Sequence, residues 1–272
     1  MGKLIFIGLG LHGCKSISLR GLEEARRADE VYLDAYTSII PGLRVEELEE
    51  LLGRGVRTAS RKLLEGRETR KLLRSAVEKT VALLVPGDPF VATTHISLAL
   101  EAVDLGIRVE VIPGASIASA IAGATGLQIY KFGRSVTVTY PEEGFVSEVP
   151  YEVVKENLQR GLHTLLYLDV RVDEGRFMSV SEALRLLSEI EERRRDGVFT
   201  EDRLVVGVAR VGAPDSVVKA GPLKSMIDVD FGGPPHSIVV PGRLHFMEKE
   251  ALVKLAGAPR SAVEKHGWGT RS

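Results

Sequence analysis

The 272-residue chain contains one cysteine and no apolar run close to the ~20 residues that a transmembrane helix needs. Because Cys14 is alone, the chain can form no internal disulfide, and zinc sites built from several cysteines are excluded. The six histidines include no HxxxH pair, so no metal site is expected. The opening MGKLIFIG lacks the long apolar segment of a signal peptide. These absences predict a cytoplasmic protein without a membrane partner.

The chain also lacks an excess of charge of either sign, since 36 lysines and arginines oppose 37 aspartates and glutamates. A protein that covers nucleic acid usually presents a basic face, so no direct nucleic-acid partner is expected. Apolar residues make up 44 % and charged residues 27 %, which are ordinary values for a globular protein. The length predicts one large domain or two smaller ones.

Short β-branched runs alternate with amphipathic segments in the first half of the chain. The predicted strands are residues 4–8, 31–34, 56–59, 81–85 and 109–112, and the predicted helices are residues 18–28, 45–52, 69–79 and 95–105. Gly53 and Gly106 follow two of these helices, where a left-handed cap is expected. This alternation predicts a parallel sheet covered by helices.

The second half keeps the alternation, but some of its connections are too short to hold a helix. The predicted strands are residues 135–140, 163–169, 204–210, 216–220 and 237–240, and the longest predicted helix is residues 180–194, capped by Ser179 or Ser181. Short connections join antiparallel neighbours, which indicates a mixed sheet. We therefore predict two α/β domains, residues 1–130 with a mainly parallel sheet and residues 131–256 with a mixed sheet. Residues 257–272 are predicted to form a loose tail.

The segment GLGLHG, at residues 8–13, follows the first predicted strand and matches the G-x-G-x-x-G pattern of dinucleotide-binding proteins. In that interpretation Asp34, at the end of the second strand, would bind a ribose. The following LHGCKSI shows no helical spacing, however, which weighs against an NAD-dependent oxidoreductase. Cys14 separates Gly13 from Lys15, so the segment does not match a phosphate loop. A glycine turn and a site where backbone approaches a ligand both remain open.

The segment PGDPF, at residues 86–90, follows another predicted strand. Gly87 permits an unusual backbone angle, and Pro89 keeps Asp88 extended. A carboxylate is thereby expected at the carboxyl end of a strand, where open α/β sheets bind ligands. A plain tight turn is the alternative.

Two further segments place a polar side chain beside a predicted strand. In PGASI, at residues 113–117, Ser116 is either a helix cap or a ligand contact. The segment lacks the second glycine of a hydrolase nucleophile elbow, which weighs against a hydrolase. In GGPPHS, at residues 232–237, two prolines orient His236, which is either a solvated loop residue or part of a site.

Taken in series, these segments resemble the diphthine synthases, a family of S-adenosylmethionine-dependent methyltransferases with a tetrapyrrole-methylase-like fold. The resemblance extends to about residue 259. Its motifs are GLGL (8–11), LDAYTS (33–38), PGDPFVATTH (86–95), YKFGRSVTV (130–138), GLHTLLYLD (161–169), DGVFT (196–200) and PPHSIVVPGRLH (234–245). Most are weak alone, but their order is specific.

The resemblance implies a homodimer of two-domain subunits, with S-adenosylmethionine in the cleft between the domains. The family's cofactor contacts fall on Leu11, Asp88, Val91, Ser116, Ile117, Leu168, Val211 and His236. Alanine is common at the position of Val211, and the difference is harmless where backbone atoms make the contact. The implied substrate is a modified histidine of translation elongation factor 2. Its aminocarboxypropyl side chain is methylated on the α-amino nitrogen during diphthamide biosynthesis.

Methyl transfer from a sulfonium is an in-line displacement, which depends more on alignment and exclusion of water than on a strong base. We therefore identify no catalytic residue. Asp88 would balance the positive charge of the cofactor, and Leu11, Val91, Ile117 and Leu168 would enclose its apolar parts. The alternatives are a tetrapyrrole methyltransferase of the same fold, the oxidoreductase above, and a non-catalytic nucleotide-binding module. The sequence leaves open the number of methyl groups and whether the neighbouring carboxylate is esterified.

Overall fold

The structure is a computed structural model that describes residues 2–266. The described residues form two compact units, the first containing residues 2–117 and 171–176 and the second containing residues 118–170 and 177–266. Each unit has an α/β architecture, so the predicted fold class is confirmed. The domain boundary at residues 130/131 stays a prediction, and the compact units divide earlier, at the start of a helix.

The first unit contains a five-stranded sheet with helices on both faces. Its strands are β1 (Lys3–Gly8), β2 (Glu30–Asp34), β3 (Arg57–Ala59), β4 (Thr80–Val85) and β5 (Arg108–Ile112), and its helices are α1 (Leu19–Arg27), α2 (Val45–Leu52), α3 (Arg61–Leu64), α4 (Thr69–Glu78) and α5 (His95–Asp104). The strand order is β3-β2-β4-β1-β5, and every pair is parallel. All the strands and helices predicted here are confirmed within a residue or two, whereas the short α3 was not predicted.

Strand β1 shows why this parallel sheet is covered by helices on both faces. Leu4 and Phe6 pack into the apolar cluster with α3, α4 and α5, while Ile5 and Ile7 pack into the cluster with α1 and α2. A strand that is apolar on both sides is typical of a parallel sheet covered on both faces. Because all five strands run in one direction, their carboxyl ends lie along one edge of the sheet.

The second unit contains a mixed five-stranded sheet of order β11-β10-β12-β7-β6, in which only β6 and β7 are parallel. Its strands are β6 (Val136–Val138), β7 (Thr164–Leu168), β10 (Leu204–Ala209), β11 (Val217–Pro222) and β12 (His236–Val240), and β8 (Val170–Arg171) and β9 (Arg176–Phe177) form a separate ribbon. Its helices are α6 (Ile117–Thr125), which begins at the last residue of the first unit, α7 (Val149–Gln159), α8 (Val180–Arg194), α9 (Leu223–Met226), α10 (Phe246–Ala256) and α11 (Arg260–Glu264). The five predicted strands, the mixed sheet and α8 are confirmed.

Helix α8 begins and ends where the sequence predicts. The Ser179 hydroxyl accepts the N–H of Glu182 at 3.2 Å, and the Glu182 carboxylate accepts the N–H of Ser179 at 2.8 Å. These two bonds form a capping box, which selects Ser179 over Ser181 as the cap.

The predicted tail differs from the structure in its described part. Helix α11 lies there, and its Ala262 and Val263 are buried. These buried side chains and the ion pairs Arg260–Glu250 and Lys249–Glu264 hold this short helix against α10, and the sequence pattern alone does not reveal such contacts. The predicted tail from residue 267 onward lies outside the described residues. Within residues 2–266, no helix is long and apolar enough to span a membrane.

Candidate functional site

Three loops meet at the carboxyl edge of the first sheet, where β1, β4 and β5 end. The backbones of Gly10 and Gly87 exchange two hydrogen bonds, with N···O distances of 3.1 and 2.9 Å. A Cβ added to Gly114 would lie 2.2 Å from the carbonyl oxygen of Gly87 and 2.8 Å from the carbonyl carbon of Gly8. Backbone therefore touches backbone where each strand ends, which only glycine permits. Gly8, Gly10, Gly87 and Gly114 come from three separate sequence motifs and pack into one cluster, which we call the glycine floor.

Asp88 joins two of these loops. Its Oδ1 accepts the backbone N–H of Phe90 at 3.0 Å, and its Oδ2 accepts the backbone N–H of Gly114 at 3.2 Å. Hydrogen bonds that involve an ionised carboxylate are stronger than neutral ones. Asp88 thus stabilises the floor itself, a role that the sequence pattern of PGDPF did not reveal.

The other predicted residues of the first unit lie on the same three loops. Leu11 follows Gly10 in the β1 loop, and Val91 lies in the β4 loop with its N–H 3.4 Å from the Asp88 carbonyl oxygen. Ser116 is buried in the β5 loop, and Ile117 is the first residue of α6. Leu11, Val91 and Ile117 are all partly exposed. This edge therefore combines one carboxylate with several accessible apolar side chains.

The predicted residues of the second unit also share one sheet edge. His236 is the first residue of β12 and pairs with Ala209, the last residue of β10, just before Val211. The next residue of β12 pairs with Tyr167 of β7, beside the buried Leu168. The sheet register thus brings Leu168, Val211 and His236 to the same end of neighbouring strands.

His236 is held in place by hydrogen bonds at both ring nitrogens and is not a solvated loop residue. Its Nδ1 accepts the N–H of Val180, the first residue of α8, at 3.3 Å, and its Nε2–H donates to the carbonyls of Gly232 and Gly233 at 3.1 and 3.0 Å. Burial lowers the pKa of His236 below 6.5, and the nearby Arg210 guanidinium lowers it further. The hydrogen bonds to the Gly232 and Gly233 carbonyls act in the opposite direction but do not outweigh burial. Protonation would also remove the acceptor that Val180 uses. The imidazole is therefore neutral near pH 7, with its proton on Nε2.

Two predicted site residues are flanked by residues in the left-handed backbone region. Ala92, which follows Val91, has φ of 55°, and Arg210, which precedes Val211, has φ of 48°. Non-glycine residues in strained backbone regions cost about 1–3 kcal/mol each and persist where surrounding contacts hold them. The Arg210 guanidinium supplies such contacts by donating to the Gly233 carbonyl. Sequence reasoning missed both positions, because neither residue type signals a positive φ.

Asp34 and His95 form a buried pair where β2 ends and α5 begins. The distance from His95 Nε2 to Asp34 Oδ2 is 2.9 Å, and Asp34 Oδ1 accepts the N–H groups of Tyr36 at 3.0 Å and Thr37 at 3.2 Å. Asp34 is only 1 % exposed. The interpretation of Asp34 as a ribose ligand is wrong, because its carboxylate is buried and the Thr37 hydroxyl adds a fourth internal hydrogen bond to the three above.

A second buried polar cluster lies in the second unit, around Glu248 in the first turn of α10. Its Oε1 accepts from His163 Nε2 and from the N–H of Gln128, both at 2.9 Å. Its Oε2 accepts from the Lys131 ammonium and from the N–H of His245. Burial alone would raise the pKa of Glu248, but these donors outweigh it and lower the pKa to about 2. The cluster is saturated with internal bonds, so it holds three chain segments together.

The sequence resemblance implies that Asp88 contacts the cofactor, so we expect Asp88→Asn to weaken binding of S-adenosylhomocysteine and also to lower stability. An amide has one acceptor oxygen, so either Phe90 or Gly114 loses its bond, at a cost of about 1–3 kcal/mol. Titration calorimetry with S-adenosylhomocysteine should show affinity reduced about tenfold or more. Asp29→Asn is a matched control, because Asp29 Oδ2 accepts the N–H of Thr80 at 2.8 Å where β4 begins, at the opposite edge. Equal affinities of the two variants for S-adenosylhomocysteine would show that Asp88 only stabilises its turn and does not contribute to cofactor binding.

Known proteins resemble this chain over nearly its whole length. A sequence profile of the tetrapyrrole (corrin/porphyrin) methylases matches residues 3–227. The diphthine synthase of Methanocaldococcus jannaschii is 45 % identical over 251 residues, which cover 92 % of this chain and 97 % of that protein. The diphthine synthase of Methanosarcina acetivorans is 47 % identical over 267 residues, or 96 % and 99 % of the two chains. A crystal structure of diphthine synthase matches with a TM-score of 0.87 at 41 % identity, covering 96 % of this chain and 98 % of that one.

Proposed function

The chain belongs to the tetrapyrrole (corrin/porphyrin) methylase family and, within it, to the diphthine synthases, and from that premise we propose its acceptor and its cofactor contacts. It is an S-adenosylmethionine-dependent methyltransferase with a role in diphthamide biosynthesis. We propose that it methylates the aminocarboxypropyl-modified histidine of translation elongation factor 2, three times, on the α-amino nitrogen. The identity to diphthine synthases along almost the entire chain carries this proposal.

We propose that the cofactor contacts are the eight residues identified from the sequence. They are Leu11, Asp88, Val91, Ser116, Ile117, Leu168, Val211 and His236. The edge of the first sheet supports this proposal, because partly exposed apolar side chains lie there beside the Asp88 carboxylate. Such a combination fits a ligand with an apolar adenine and a cationic centre. The bound cofactor supplies a methyl group on a positively charged sulfur.

The reaction does not require a strong acid or base from the protein. The acceptor nitrogen forms a bond to the methyl carbon as the carbon–sulfur bond breaks, and the nitrogen releases a proton while S-adenosylhomocysteine leaves. An α-amino group has a pKa near 7.7–8.0, so on the order of a tenth is neutral at pH 7. Alignment of two bound reactants can contribute roughly 7–11 kcal/mol. The residues of the chain therefore act by holding both reactants and excluding water. After three transfers the nitrogen has no lone pair, and the reaction stops.

We further propose that the protein is a cytoplasmic homodimer. Helix α5 supports the dimer, because Ile96, Leu100 and Val103 form a stripe along one side of the helix and each is more than half exposed. Contiguous exposed apolar surface of this kind commonly marks a protein interface. The single cysteine agrees with a reducing compartment.

The acceptor assignment is tested with purified elongation factor 2 that already carries the aminocarboxypropyl group. With S-adenosylmethionine and this protein, intact-peptide mass spectrometry should show three added methyl groups that are stable to mild base. A further base-labile methyl would identify an ester, and factor without the aminocarboxypropyl group should gain no mass. S-adenosylhomocysteine, but not NAD, should raise the melting temperature. If S-adenosylhomocysteine binds while the modified factor gains no methyl group, the acceptor assignment is wrong.

A further inference from the structure

A cavity of about 670 Å³ opens in the first unit, between the α3–α4 connection and the beginning of α5. Helices α3 and α5 follow the carboxyl ends of β3 and β4, so the cavity lies toward the same sheet edge as Asp88. The buried Leu64 and Leu98 form part of its wall. Its polar lining consists of Glu65, Arg67, Thr69, Arg70, Ser97 and Glu101. The residues that line this cavity thus include two arginines and two glutamates.

Glu65 is held in its ionised form at this cavity. Its Oε1 accepts the hydroxyls of Tyr36 and Thr94, and its Oε2 accepts Arg61 Nε–H at 3.1 Å. Burial would raise the pKa of Glu65, but these donors lower it below the usual 4.5. An ionised carboxylate can accept about four hydrogen bonds, and the three donors leave room for one more. With its side chain 22 % exposed, Glu65 can accept that bond from a ligand.

The remaining charges of the cavity are not used by the protein. Across residues 2–266, no side-chain hydrogen bond or ion pair engages Arg67, Arg70 or Glu101. A guanidinium recognises a carboxylate through two parallel N–H···O bonds, and a carboxylate recognises an ammonium group. A small ligand that satisfies both charges carries an ammonium and a carboxylate close together, attached to one carbon atom. That description fits the zwitterion of an α-amino acid.

We propose that this cavity binds the zwitterionic α-amino acid end of the methyl acceptor, with Arg67 and Arg70 on its carboxylate and Glu65 facing its nitrogen. The proposal rests on the proposed function, because an aminocarboxypropyl group carries these two charges. Binding through the carboxylate has a further advantage: methylation leaves that group unchanged, so the anchor persists through successive transfers. The nitrogen is cationic before and after each transfer, when Glu65 attracts it, and it gives up a proton to attack the methyl carbon. A histidine without the aminocarboxypropyl group lacks both charges and is not held.

The subsite is tested first without methyl transfer, by NMR of the arginine side-chain Nε–H groups. The probe is L-2-aminobutyrate, which is the aminocarboxypropyl group without its histidine, and butanoate and propylamine each carry one of its two charges. The Arg67 and Arg70 signals should shift saturably with L-2-aminobutyrate, at concentrations about tenfold below those needed for either analogue. Arg70→Gln should remove the response, whereas Arg74→Gln, one turn further along α4 and outside the cavity, should retain it. Absent shifts, or equal responses to the three probes, would overturn the proposal.

Kinetics on the modified elongation factor provide the second test. Arg70→Gln and Glu65→Gln should each raise KM for the factor about tenfold, while the affinity for S-adenosylhomocysteine stays as in the unaltered protein. Arg70→Gln should also leave the melting temperature unchanged, whereas Glu65→Gln removes an acceptor used by Arg61 and should lower it slightly. Arg74→Gln should change neither KM nor kcat. An unchanged KM in both cavity variants, with methylation still proceeding, contradicts the subsite. If the proposed function is wrong, the unaltered protein itself will not methylate the modified factor. The L-2-aminobutyrate titration still tests the subsite in that case.

Discussion

Gly114→Ala is expected to abolish S-adenosylhomocysteine binding and to destabilise the protein. The new Cβ would lie 2.2 Å from the Gly87 carbonyl oxygen and 2.8 Å from backbone atoms of Gly8. Because these neighbours are backbone atoms in adjoining loops, the clash cannot be relieved by turning a side chain. The loops must separate, at a cost of about 1–3 kcal/mol or more. Calorimetry measures both consequences, as a lower melting temperature and as a loss of binding heat.

Gly123→Ala is the matched control for this substitution. Gly123 lies inside α6, and apart from the adjoining backbone of that helix no described atom lies within 4 Å of the position that its Cβ would take. Alanine is favoured over glycine inside a helix, so this variant should gain roughly 0.5–1 kcal/mol and bind S-adenosylhomocysteine normally. Normal binding by Gly114→Ala as well would contradict a role for the glycine floor in the cofactor site.

Glu248→Gln is expected to cost about 3–5 kcal/mol, because it leaves buried cationic and donor groups without their common acceptor. Glu248 itself is fully buried, with His163 and Lys131 directed at its carboxylate. For a chain of this size each kcal/mol lowers the melting temperature by roughly 2–4 °C. Glu250→Gln on the same helix is the control, since Glu250 pairs with Lys254 and Arg260 at the surface and should lose far less. Urea unfolding curves of the three proteins provide the comparison.

The effect of Glu248 should also depend on pH. Its pKa is about 2 in the folded protein and 4.5 without its partners. A carboxyl group whose pKa is lowered by folding stabilises the protein above its unfolded pKa, and that contribution disappears as pH falls toward the folded value. The difference in free energy of unfolding between the unaltered protein and Glu248→Gln should therefore be full at pH 7 and shrink between about pH 4.5 and pH 2. A difference that is constant across this range would show that packing, rather than charge, explains the loss.

The sequence predicts those parts of the fold in which local pattern and burial agree. Strand β1 is apolar on both sides because helices cover both faces of its sheet, and α8 carries its own capping box. Helix α10 was not predicted, because in this helix local pattern and burial disagree. Its Phe246, Met247 and Leu255 are largely exposed, so its apolar residues do not form a single buried stripe.

The same distinction applies to the candidate site. Asp88 and Ser116 lie in the short loops that follow β4 and β5, so their motifs predict their position at the sheet edge. The bond between His163 and Glu248 joins residues 85 positions apart, and no spacing rule connects them. The cavity beside Glu65 likewise depends on how α3 and α5 are placed by β3 and β4, which follow one another in the sequence but are separated by β2 in the sheet. The sequence therefore predicts which polar residues lie at the end of a strand, but it does not predict contacts between segments that only the strand order brings together.

The outer strands of the two five-stranded sheets determine how this protein avoids aggregation. Strands β3 and β6 are outer strands of only three residues each. The other two outer strands are longer but carry charge or proline, with Arg108 and Glu110 on β5 and with Lys219 and Pro222 on β11. Short, charged or proline-bearing edges discourage further strands from adding to a sheet. We therefore expect two copies of this chain to associate through helices and loops, and concentrated samples to resist fibre formation.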